Sequence, residues 1–382
     1  EEKNENLNLK KSIYYLIIAL ICTSCSRLNK ATDFITNPSA KEIYKRDYNI
    51  SDQLFSLWEG QIKIGLQDSL KIELPYAESG KFMPRSFPVY AYEMNLNPGE
   101  VFNLEIFTDS VNDLVFIDFY RMTLDSIQSF NKIESAEIDQ KMFQYEIKES
   151  GLYKIVIQPG IETQSDFVLK FNKKPAYFFP VADGKNSAIQ SYWGAKRDGG
   201  ARSHEGIDIF ADRGTPVLAA TNGRIGFTGE KGLGGKQVWL RDTKRGQSLY
   251  YAHLDSISKT SGSVKKGDTL GFVGNTGNAK TTPPHLHFGI YKRGAINPLY
   301  FVYQHENFTP EITAFDKNST SLLTKSSVAN LRNQPNTSTS QILGQAKNKD
   351  TLQLLGKTGD WFHVRPKNKS ASFVHESLVA PL

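Results

Sequence analysis

Seven histidines occur in this 382-residue chain, and four of them fall between His204 and His287, among frequent glycines. The first sits in "ARSHEGIDIF" (201–210). The string opens like the H-E-x-x-H helix of zinc proteases, yet Asp208 stands where that motif needs its second histidine. Gly206 lies between, and Ile207 and Ile209 alternate with polar neighbours, which predicts a loop running into a strand and not a helix. On an extended chain Asp208 shares a face with Gly206, and the loop before it can bring His204 to the same side. Glu205 then lacks the helical frame that a general base would need there, and reads as a solvated neighbour.

The string "PPHLHFGI" places His285 and His287 two apart on an apolar strand. Successive side chains alternate faces, so both imidazoles point one way while Leu286 and Phe288 pack behind them. A lone histidine is more often a packed or surface residue than a ligand. Two on one strand face are harder to explain by packing, because burying both without a proton partner or a metal costs desolvation twice. His253, in "LYYAHLD", again ends an apolar strand. Imidazole and carboxylate donors suit Zn²⁺, and three protein ligands with a free fourth position mark a catalytic site over a structural one. A two-histidine, one-carboxylate iron site would use the same donor types, but it needs closer His-Asp spacing and leaves His253 and His285 unexplained.

The order H-x-x-x-D (His204, Asp208), then Y-A-H-L around His253, then H-L-H (His285, His287) resembles the LytM/lysostaphin-type zinc metallopeptidases, the M23 peptidase family. The resemblance covers about residues 178–302. "GTPVLAATNGRI", "VKKGDTLGFVGNTG" and "INPLYF" support it, each in family order. It implies that His204, Asp208 and His287 bind zinc and that His253 and His285 line the site without binding it. Activity would then be hydrolysis of a peptide bond by metal-activated water, with the two accessory histidines moving protons jointly. Many relatives carry glutamate after H-L-H-F where this chain has Gly289. A tyrosine that some relatives carry shortly before the first histidine has no close counterpart, since Tyr192 is distant in sequence. Arg197 and Arg202 read as solvated loop arginines in preference to substrate contacts. "VKKGDTLG" also occurs in lipoyl- and biotinyl-type barrels, but no modifiable lysine sits at a hairpin tip here.

Elements must carry these residues. From 173 to 302, frequent glycines and the hairpin signal Asn222-Gly223 predict short antiparallel strands joined by tight turns. Before that, 51–172 shows period-two stretches such as "GQIKIGL", "LKIELPY", "VFNLEIF" and "LYKIVIQP", which predict a β-sandwich of about seven or eight strands. A linker at 303–320 leads to 321–382, where five short strands fit a small barrel. "VANLRNQP" and "GDWFHVR" in it resemble bacterial SH3-type (SH3b) domains through Asn330, Leu331, Arg332, Pro335, Trp361, Val364 and Arg365. The family's final glycine-tryptophan appears as Ser372-Phe373. Such domains either target the wall or pack against a neighbour. The expected fold class is all-β and multidomain.

The N-terminal region differs. Lys10 and Lys11 precede the apolar "SIYYLIIALICTSC", which resembles a bacterial lipoprotein signal over 1–24 with Cys25 as the acylated residue, followed by a polar tether over 25–50. Both cysteines, Cys22 and Cys25, lie in this leader, so the remainder has neither a disulfide framework nor a thiolate metal site. A net charge of +6 favours anionic surfaces weakly, and no arginine-rich helix or RNP-like stripe speaks for nucleic acid. These expectations combine as an exported, lipid-anchored zinc endopeptidase of the cell envelope acting on peptidoglycan, with membrane contact through Cys25. The alternative is a non-catalytic regulator that binds the envelope and governs other murein hydrolases.

Overall fold

A computed structural model of the chain describes residues 33–123, 129–305 and 319–382. The expected signal 1–24, Cys25, the first part of the tether and most of the linker 303–320 lie outside them. No helix among the described residues is long and apolar enough to cross a membrane. The architecture is all-β, built from antiparallel sheets with a few short helices.

Two four-stranded layers form the sandwich. One orders the strands Tyr76–Phe82, Ser165–Pro175, Glu100–Thr108 and Met142–Glu146; the other orders Tyr90–Leu96, Gly151–Pro159, Val115–Thr123 and Ser129–Ser135. Their inward residues make one aromatic-rich core in which Phe102, Phe119, Phe167 and Phe171 are essentially inaccessible.

Two readings from sequence are corrected here. "GQIKIGL" is not a strand: Ile62–Gln67 is a helix. In a strand Ile62, Ile64 and Leu66 would share one face. Instead Ile62 and Leu66, four apart, pack against Val89, Ala91, Tyr120 and Val156, while Ile64 is 41% exposed. The 25–50 tether is also structured in its second half. Ser39 and Glu42 form a capping box that starts the helix Ala40–Asp47, a signal hidden within a polar stretch. From this helix Tyr44 packs on Trp58 and Phe116, and Lys41 makes a buried ion pair with Asp118 at 2.6 Å.

The C-terminal barrel has its own small core around Leu322, Leu331, Phe362, Val364 and Val374. Besides the five anticipated strands, Ser321–Thr324 and Val379–Pro381 pair with each other and complete it. It does not stand apart from the sandwich. Its strand Thr351–Thr358 bridges Tyr76–Phe82 at Ser79↔Lys357, and Leu355, Ala371 and Phe373 belong to the sandwich core. At the junction the fully buried Glu78 accepts from Tyr76 and Tyr92 (2.6 and 2.8 Å) and lies 2.8 Å from His363 Nδ1. Arg365 and the Ala371 amide both bond Asp68. Of the two roles open to such a barrel, packing against a neighbour is therefore present.

The central unit is an eight-stranded sheet in which Lys236–Asp242, Gln247–Leu254, His285–Tyr291 and Ile207–Phe210 lie side by side. One face of it closes a core of Ile207, Ile209, Val238, Leu240, Leu249, Tyr251, Leu286, Phe288 and Ile290. Arg245 ties this unit to the sandwich through Glu146 at 2.6 and 2.9 Å.

Candidate metal centre and cleft

The strand Ile207–Phe210 pairs with His285–Tyr291 in the register Asp208↔His287, and that strand pairs with Gln247–Leu254 at Ala252↔His287. Cross-strand partners on one face stand side by side, so Asp208 and His287 are brought together by the ladder itself. As expected, residues 204–206 form a loop that enters a strand. His204 then swings in, with its amide held by the Ala195 carbonyl.

His204, Asp208 and His287 offer three ligand atoms within 4.8 Å of one another. His204 Nε2, Asp208 Oδ1 and His287 Nδ1 are mutually 3.0 Å apart. His204 Nδ1 faces the Tyr192 carbonyl at 2.9 Å. A carbonyl only accepts, so Nδ1 carries the hydrogen and the Nε2 lone pair points at the other two donors. Lone pairs from two imidazoles and a carboxylate thus converge, an arrangement that a cation relieves. The donor set fits zinc. Burial alone would raise Asp208, but the adjoining His204 and His287 rings hold it well below the usual carboxylate range. Burial lowers His287, favouring the neutral ring that ligation requires.

His253 and His285 flank the trio. Their ring centroids are 5.1 Å apart, and His285 Nε2 is 4.0 Å from Asp208 Oδ1. Both donate Nδ1–H to a carbonyl at 2.9 Å, His253 to Thr276 and His285 to Pro283, which leaves each Nε2 with a lone pair. Burial, then the His287 and His285 charges, push His253 down to about 4. His253 also has φ of 63°, a left-handed conformation that costs a non-glycine residue about 1–3 kcal/mol and that recurs where function demands it.

These five residues lie in a cleft of about 660 Å³, bordered by Arg197, Arg202, Phe210, Leu233, Tyr250 and Tyr291 among others. Sequence reading missed several neighbours. Tyr250 stacks on Trp239 at 4.5 Å and meets the His287 ring edge-on at 5.7 Å. Tyr291 lies over Gly289, where an added Cβ would come within 3.0 Å of its ring. Glycine at 289 therefore leaves room for the Tyr291 ring. Burial and Glu205 raise that phenol to about 12. The alternation of Tyr250 with the inward Tyr251 was visible in sequence, but which face held the histidines was not.

An antiparallel sheet that presents a His/Asp/His centre at the floor of an open cleft defines a metallopeptidase-like architecture. Residues 202–298 match the model of Peptidase family M23, and residues 327–380 match that of the Bacterial SH3 domain. The chain thus carries an M23 peptidase domain followed by a bacterial SH3 domain. It is similar to the DD-carboxypeptidase/endopeptidase Mpg of Neisseria meningitidis serogroup B, at 42% identity over 117 residues, covering 30% of this chain and 26% of that protein. It is also similar to the L-Ala–D-Glu endopeptidase of Bacillus subtilis, at 37% over 123 residues, covering 30% and 37%. Among solved structures, the catalytic domain of lysostaphin from Staphylococcus simulans shares 31% identity, covering 31% of this chain and 92% of that one, with a TM-score of 0.28. The chain spans between 26% and 37% of the length of these two curated relatives.

Proposed function

We propose that this protein is a zinc-dependent endopeptidase that hydrolyses peptide bonds of peptidoglycan, outside the cytoplasm, held at a membrane by a lipid on Cys25. One observation carries the enzymatic part: three metal-donor atoms converge within 4.8 Å, and two further imidazoles with free Nε2 atoms line the same cleft. His204, Asp208 and His287 would hold the ion. When bound, zinc supplies Lewis-acid activation of water and of the peptide carbonyl. His253 and His285 do the proton work. A neutral Nε2 takes a proton from the attacking water, and once protonated it donates to the oxyanion or to the leaving amine. The Thr276 and Pro283 carbonyls fix both rings in the tautomer that this requires.

The substrate class is supported by the relatives, one named for an L-Ala–D-Glu bond and one for carboxypeptidase and endopeptidase action. The membrane part is supported by the apolar run that ends at Cys25 after two lysines. A diacylglyceryl group plus an acyl chain is enough for stable anchoring. The experiment is to digest purified murein of two wall chemotypes with zinc-loaded protein and to identify products by mass, wild type against His285→Ala. New peptide termini from wild type alone support the proposal. Stoichiometric zinc with no product from either wall refutes it and favours the binding regulator.

A further inference from the structure

Arg197 belongs to a two-stranded ribbon, Lys196–Arg197 against Arg202–Ser203, that runs directly into His204. It is not a solvated loop arginine. Its Nη2 donates to Asp208 Oδ2 at 2.6 Å and to Ser191 Oγ at 2.7 Å. Ser191 is in turn the strand partner of Asp208, so ribbon, edge strand and metal-ligand strand are joined at one point. The two oxygens of Asp208 are divided between tasks. Oδ1 faces His204 Nε2 and His287 Nδ1 at 3.0 Å, while Oδ2 is taken by the guanidinium. A carboxylate with both oxygens free can ligate through one or both. A charge-assisted bond to one oxygen removes that choice.

We infer that Arg197 is a positioning residue that restricts Asp208 to single-oxygen ligation and so preserves an open metal position for water and substrate. The inference rests on the zinc reading above. A single nitrogen makes both bonds, so lysine is the conservative replacement.

The test uses the full chain, stripped of metal, as wild type, Arg197→Ala, Arg197→Lys and Ser191→Ala. Zinc affinity is measured by competition with a chromophoric chelator. Cobalt substitution reports coordination, because visible d–d absorption weakens as coordination number rises. Alanine at 197 is expected to weaken zinc binding by about 10–100-fold, the usual effect of losing a partner behind a ligand, and to dim the cobalt band. Lysine should recover most of both, and Ser191→Ala should shift both in the same direction by less. Circular dichroism without metal separates misfolding from misplacement; if Arg197→Ala unfolds, Ser191→Ala carries the comparison. An alanine variant that binds zinc as well as or better than wild type, with an unchanged cobalt spectrum, overturns the assignment. A wild type that binds no zinc defeats the functional reading itself.

Discussion

Gly206→Ala should disable the metal centre without touching a ligand. A Cβ built on Gly206 stands 2.6 Å from His287 Cε1, 2.6 Å from the Phe288 carbonyl oxygen and 2.7 Å from His287 Nε2. Ordinary contacts between such atoms are roughly 3.5–4.0 Å, so about 1 Å must be found. The Phe288 oxygen cannot retreat, because Phe288 pairs with Ile207 in the same ladder that sets Asp208 opposite His287. The imidazole is the softer neighbour. Turning it carries Nδ1 away from its 3.0 Å positions beside Asp208 and His204. Overpacking of this kind costs about 1–3 kcal/mol of folding stability. Displacing a ligand that its neighbours no longer orient should weaken zinc binding by about 10–100-fold. The assays are urea unfolding of the metal-free protein and zinc competition, with Gly294→Ala as control, since nothing lies within 4 Å of a Cβ there. Zinc affinity equal to wild type in Gly206→Ala would refute the claim that this backbone approach shapes the site.

Three further outcomes are expected. His285→Ala should lower turnover on murein by about 10²–10⁴-fold while retaining stoichiometric zinc; loss of the metal instead would make His285 a ligand. His253 has a folded pKa of about 4 against 6.5 for the free side chain. The unfolded chain therefore binds its proton first as pH falls, and metal-free protein should lose about 3 kcal/mol by pH 4 through this group, a loss absent from His253→Gln in paired urea titrations. Glu78→Ala removes the shared acceptor of His363, Tyr76 and Tyr92 at the junction of barrel and sandwich. Leaving these buried groups without their acceptor should cost about 1–3 kcal/mol in denaturant unfolding, and a smaller change would mean that the two units are joined mainly by apolar packing.

Much of the site was legible along the chain. H-x-H on an apolar strand fixes two rings to one face, and Gly206 before the alternating Ile207 and Ile209 argues against a helix, so the loop-into-strand reading of "HEGIDIF" needed only local rules. The helices within 40–67 were hidden because Ile62, Ile64 and Leu66 satisfy a period of two and a period near four together, and because a capping box looks polar and patternless until its helix has something to pack on. The alternation of Tyr250 with Tyr251 shows in the string, but nothing local says that Tyr250 shares the histidines' face or that Arg197 reaches Asp208.

Composition and spacing determined on their own that the chain is built of strands and that two histidines point one way, since those properties follow from backbone alternation within a few residues. They also supplied the list of groups able to hold a metal. Whether those groups meet was decided by the register Asp208↔His287, by carbonyls of Tyr192 and Thr276 that fix the tautomers of His204 and His253, and by Arg197 reaching back to Asp208. These are contacts between different segments of the chain, set by how strands align and loops close, and no local pattern of residue types encodes them.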